Sequence, residues 1–135
     1  MLPTIDFLTL QDVLQIHNDQ LMRYGGQDGI RDEKALLSAI AQPQVSYEGE
    51  YLHHSLFDMG AAYAYHIAQN QPFIDGNKRT GLAACLSFLE LNGYEVLDPQ
   101  SKLADAIVAF SRGKPGEKKT RFAALIKSLS SEVTP

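Results

Sequence analysis

Apolar positions recur at helical spacing along most of the chain and alternate as in a strand almost nowhere. Between Thr9 and Tyr24, Leu10, Val13, Leu14, His17 and Leu21 share one face. Thr9 with Asp12 forms a capping pair, and Gly25-Gly26 is the stop, so the spacing predicts a first helix there. Asp32 to Gln42 predicts a second, with Asp32 as N-cap, Leu36, Leu37 and Ile40 inward, and Pro43 ending it. A third runs from Ser55 to Gln69, with Leu56, Met59, Tyr63, His66 and Ile67 as its core face. Further on, Ser101 to Ser111 turns Leu103, Ala106, Ile107 and Phe110 inward. After a turn at Gly113 to Gly116, Glu117 to Ser130 does the same with Phe122, Leu125, Ile126 and Leu129. The residues after Ser130 are expected to fray.

Two stretches break this pattern. Pro43 to Tyr51 (PQVSYEGEY) carries Val45, Tyr47 and Tyr51 in extended spacing around a glycine, which suits a short hairpin. It reads equally as a solvated connector or as a flap that pairs with a partner strand. Tyr94 to Leu97 is a brief extended piece before Asp98-Pro99.

Between them lies Gln71 to Tyr94, QPFIDGNKRTGLAACLSFLELNGY. It opens as a polar loop and becomes a helix that is apolar on nearly every side until Asn92-Gly93, so it belongs inside the protein. The expectation is an all-α bundle of about six helices around this buried central helix, with a short extended flap. Its 135 residues suit a single domain, 1–135.

Composition narrows the function. A net charge of −4 gives no global attraction to nucleic acid. No apolar run approaches the ~20 residues that span a bilayer, and MLPTIDFLTL lacks the basic start of a signal peptide. The one cysteine, Cys85, reads as a packing residue and fits a cytoplasmic location. Lys118, Lys119 and Arg121 read as a solvated face, and His53 and His54 as surface or capping residues. His17 reads as structural, and His66 as a packed histidine that alone lies near the central loop.

That loop carries the candidate chemistry. The first N–H groups of a helix are unpaired and partly positive. Gly76 permits close backbone approach, Asn77 adds amide donors, and Lys78 and Arg79 add charge, which together make a seat for phosphate. Asp75 can offer oxygens to Mg²⁺, which takes one or two carboxylates beside phosphate oxygens and water. Phe73 is suited to plug the loop into the core. The competing reading is that Asp75 or Asn77 merely caps the helix and the cations point to water.

PFIDGNKRTG resembles the motif of the Fic/Doc (Fido) superfamily. His17 to Pro43 (HNDQLMRYGGQDGIRDEKALLSAIAQP) and Ser87 to Val96 (SFLELNGYEV) resemble the death-on-curing (Doc) toxins within it. The resemblance implies an all-α core and an ATP- and Mg²⁺-dependent transfer onto a protein hydroxyl. In the Doc branch the group moved is a phosphate, and the acceptor is a threonine of a translation elongation factor. Most other members transfer AMP. Lys78, where AMP-transferring relatives often have glycine, and Leu82, where they carry a second arginine, put this chain nearer the Doc branch. By position, Asp75 is then the metal ligand or phosphate organiser, Gly76 and Asn77 the anion pocket, and Lys78 and Arg79 the phosphate contacts. Val45, Ser46 and Tyr47 belong to the flap that aligns the target. The chain lacks the Ser/Thr-x-x-x-Glu-Gly/Asn inhibitory signature of some relatives, which implies restraint by a small antitoxin with a disordered tail.

One departure stands out: Gln71 occupies the position of the family's catalytic histidine. An amide has no useful basicity near neutrality, so it can orient a hydroxyl but cannot take its proton. Three accounts fit: a natural member weakened in turnover, a histidine that has been replaced, or another base such as His66. The alternatives to a Doc-type kinase are an AMP transferase, a nucleotide-binding module without turnover, and an all-α interaction protein whose loop only caps a helix.

Overall fold

A computed structural model describes residues 4–98, 100–110 and 115–133. Within them run six α-helices: α1 Leu10–Tyr24, α2 Glu33–Ala41, α3 Leu56–Asn70, α4 Asn77–Leu91, α5 Lys102–Phe110 and α6 Pro115–Leu129. Two small antiparallel sheets accompany them. β1 (Ser46–Tyr47) pairs with β2 (Glu50–Tyr51), and β3 (Tyr94–Val96) with β4 (Ser130–Glu132). The all-α class and the short hairpin are as the sequence predicts.

Local capping sets three of the helix starts. Thr9 and Asp12 form a reciprocal capping box at α1, the Asp32 side chain accepts from the Ala35 N–H at α2, and Ser55 accepts from the Asp58 N–H at α3. Each satisfies donors that the helix cannot pair for itself.

The centre of the molecule departs from expectation. It is α3, not α4, that is buried all round, from Met59 through Tyr65 without a break. It packs against α4 most extensively, and also against α2, α5 and α6. The reason is size: Gly60, Ala61, Ala62 and Ala64 let neighbours close in on every side, although alanine-rich sequence carries little hydrophobic signal. At Gly81 of α4 even a methyl group would lie 2.8 Å from the Ala64 carbonyl oxygen, so the two backbones nearly touch. α4 keeps one face partly open, and its Leu91 is 51% exposed.

Other expectations also need correction. Leu37 points outward, and Ala39 takes the inward place beside Leu36 and Ile40. Pro115 and Gly116 lie within α6, so the turn expected at Gly113 to Gly116 does not reach them, and Gly113 and Lys114 lie outside the described residues. Proline is well placed in a first helical turn. The C-terminal segment does not fray at Ser130. It pairs Tyr94 with Glu132 and Val96 with Ser130, and the ladder is extended by Val133 N–H to the Gly93 carbonyl and Leu97 N–H to the Leu129 carbonyl. Backbone pairing, not side-chain hydrophobicity, ties this end down.

Lys119 is not simply solvated. Its ammonium lies 5.3 Å from the Tyr65 ring centre and 3.4 Å from His66 Nε2. Burial first, then Lys119 and His53, push the His66 pKa from 6.5 down to about 4. The folded value lies below the unfolded one, so the neutral form is favoured by folding. That contribution is complete above about pH 6.5 and is lost as pH falls toward about 4. Unfolding in that window is expected to take up as much as one proton through His66, and His66→Gln should flatten this part of the stability profile measured by urea titration.

Among the described residues no helix is long and apolar enough to cross a membrane.

Candidate functional site

Residues 71–76 join the end of α3 to the start of α4. Gln71 closes α3 in the left-handed region (φ 48°, ψ 54°) and donates its N–H to the Ile67 carbonyl. The Arg31 side chain holds this end from outside: Nε donates to the Gln71 carbonyl at 2.6 Å and Nη2 to the Asn70 carbonyl at 2.7 Å. A cation there meets carbonyls that the helix leaves unpaired. The Arg31 and Asp32 N–H groups donate to the Pro72 carbonyl, Ile30 bridges Phe73, and the Ile74 N–H donates to the Gly29 carbonyl. Residues 25–32 are thus a second loop that clamps the first.

Inside the loop, Phe73 plugs the core as expected, at 1% exposure. Its ring stacks on His17 at 3.7 Å and 5°. The Asn77 amide closes on the Phe73 backbone at both ends: Oδ1 accepts from the Phe73 N–H and Nδ2 donates to its carbonyl, each at 2.9 Å. The Asn77 side chain is therefore an internal brace of the loop as well as part of the pocket lining. Asp75 Oδ2 accepts from the Gln27 N–H at 3.1 Å and Oδ1 from the Gly76 N–H at 2.8 Å. Those two bonds, helped by the Arg79 guanidinium, hold its carboxyl below the ordinary carboxylate range. Asp75 is consequently ionised at neutral pH and can ligate a cation.

α4 begins differently from α1, α2 and α3. Its N-cap is Gly76, left-handed at φ 78°, and no side chain caps it. The expectation that Asp75 or Asn77 only caps the helix therefore fails. The first turn opens on a pocket of about 330 Å³ lined by Ala68, Gln71, Ile74, Asp75, Gly76, Asn77, Lys78 and Arg79. Arg79 is steadied by one bond, Nη2 to the Gly25 carbonyl at 3.1 Å, and by the Tyr24 ring, 5.6 Å from its Cζ. A guanidinium has five N–H donors, so this tether leaves others for an anion.

The structure thus brings together Gln71, Asp75, Gly76, Asn77, Lys78 and Arg79. It does not bring in Val45, Ser46 and Tyr47. The hairpin's Glu48-Gly49 turn and β2 instead border a separate cleft of about 970 Å³ shared with Thr4, His53 and Asn92. His66 sits beside Lys119, away from this pocket, so the histidine at the loop is His17: its Nε2 lies 2.8 Å from the Asp75 carbonyl oxygen. His17, Gln27 and Arg31 escaped the motif reading. The available signal was a lone histidine on an apolar face, since a buried imidazole needs a polar partner.

The Fic/DOC family model matches residues 7–89. The toxin Doc of Mycolicibacterium smegmatis is 35% identical over 91 residues, which cover 67% of this chain and 68% of that one. The protein kinase doc of Escherichia phage P1 is 34% identical over 107 residues, 77% of this chain and 81% of its own.

Proposed function

The chain belongs to the Fic/Doc family, and from that premise we propose that it is a Doc-like toxin that binds ATP with Mg²⁺ at the 71–79 loop. By this reading it is built to move a phosphate onto a protein hydroxyl, with a translation elongation factor as acceptor, and acts in the cytoplasm. The observation that carries it is the uncapped N-terminus of α4, opening beside Asp75, Lys78 and Arg79. Helix N–H groups, a point charge and a forked guanidinium suit a polyphosphate.

The fit to Mg²⁺ rests on one ionised carboxylate. Among the described residues no three or more His, Cys, Asp or Glu side chains gather as a metal cage. Asp75 would therefore share the ion with phosphate oxygens, the arrangement Mg²⁺ favours. When bound, MgATP supplies the transferable phosphate and partial neutralisation of its charge. The chain's own residues seat the phosphates and, at position 71, meet the acceptor hydroxyl. Gln71 can orient that hydroxyl and cannot remove its proton, which favours strong binding with weak turnover. Two related proteins, the toxin Doc of Mycolicibacterium smegmatis and the protein kinase doc of Escherichia phage P1, support the toxin and phosphate readings. A toxin of this kind implies a small antitoxin whose disordered tail folds onto it.

Calorimetric titration with MgATP is expected to show saturable binding. Arg79→Ala, which removes charge-assisted bonds, should weaken it about tenfold or more. Absence of binding to the unaltered chain would contradict the reading.

A further inference from the structure

Among the described residues His17 is, with Thr80, one of two buried polar side chains, at 3% exposure. It lies on α1, yet its one hydrogen bond reaches 58 residues along the chain to the Asp75 carbonyl. A carbonyl oxygen only accepts, so Nε2 carries the proton.

The Asp75–Gly76 peptide is planar and trans, so its carbonyl and its N–H point in opposite directions. With the carbonyl drawn inward to His17, the Gly76 N–H faces away from α1. There it meets Asp75 Oδ1 at 2.8 Å, on the side of the pocket that both residues line. The reverse orientation would put a carbonyl oxygen beside the Asp75 carboxylate and at the seat of any phosphate, where it would repel both. Glycine at 76 makes that reversal sterically accessible. Two bonds therefore hold the amide-outward form: the Asp75 carboxylate accepts from the Gly76 N–H on the pocket side, where a phosphate would compete for it, and His17 donates to the Asp75 carbonyl on the buried side.

We propose that His17 is the positioning residue that keeps this orientation when a polyphosphate draws the Gly76 N–H from the Asp75 carboxylate: one buried hydrogen bond from α1 holds the 75–76 peptide with its N–H on the pocket side. The Phe73 ring, stacked flat on the imidazole, fixes the direction in which Nε2 points. His17 touches neither nucleotide nor acceptor; it acts through the loop backbone. The ligand half of this inference rests on the phosphate reading above, whereas the orientation half does not.

The test compares His17→Gln with His17→Met. Both lose the ring and have similar reach, but only glutamine keeps a donor at the position of Nε2. Similar loss of thermal stability is expected in the two. Amide hydrogen exchange at Gly76 to Arg79 should quicken about tenfold or more in His17→Met relative to the interior of α3, and MgATP affinity should fall about tenfold. His17→Gln should restore both toward the unaltered protein. Equal loop exchange in the two variants would overturn the proposal. If the unaltered chain binds no MgATP, the phosphate reading falls by itself, and the exchange comparison still decides the role of His17.

Discussion

Gln71→His is expected to raise the rate of phosphate transfer from labelled ATP to a translation elongation factor by about 10²- to 10⁴-fold, the usual range for general acid–base help. The position can take histidine. Its side chain is exposed, and its backbone is left-handed, a region histidine enters more readily than most residues. Stability should therefore stay within about 0.5 kcal/mol of the unaltered chain. MgATP affinity should also change little, because the phosphate seat is Gly76 to Arg79. The restored rate should climb as pH passes about 6.5, since only neutral imidazole accepts the proton. Expression of the variant should arrest growth where the glutamine form does not. No transfer by either form would refute the kinase reading, and an AMP increment on the acceptor by mass spectrometry would move the chain to the nucleotidyl branch.

The second large effect concerns stability. Phe73→Ala empties a site that is 1% exposed and removes the ring on which His17 stacks. Such truncations cost about 3–5 kcal/mol. Domains of this kind have only about 5–15 kcal/mol in all. A fall in melting temperature of roughly 10–20 °C is expected for this chain length. Nucleotide binding should vanish at temperatures where the helices persist, because Asn77 braces a backbone that Phe73 no longer anchors. Phe73→Leu, which keeps much of the volume, should lose less than half as much. A loss under about 1 kcal/mol for the alanine variant would mean that the loop is not fixed by this plug.

What could be read from the sequence follows from how local each interaction is. Thr9, Asp32 and Ser55 cap helices through contacts three residues away, so those starts were legible. Gln71 to Arg79 are contiguous, and their clustering in one pocket was implied by adjacency. The centrality of α3 was not, because Ala61, Ala62 and Ala64 say nothing of burial until neighbours arrive. Ser130–Glu132 looked like a polar tail, and its strand is made by backbone bonds to partners 34 to 38 residues away. The clamps on the loop, His17, Gln27 and Arg31, reach it from 40 to 58 residues upstream, beyond any local pattern. The bracing by Asn77 was hidden for a different reason: an amide looks the same whether it faces a ligand or braces its own loop.

The central claim is that phosphate is held by the open first turn of α4. Following backbone amide signals by NMR during titration with MgATP tests it at the atoms concerned. The signals of Gly76, Asn77 and Lys78 should move first and saturate together, ahead of those along the cleft beside Glu50 and His53. Unmoved signals at those three amides at saturating MgATP, or shifts confined to that other cleft, would contradict it.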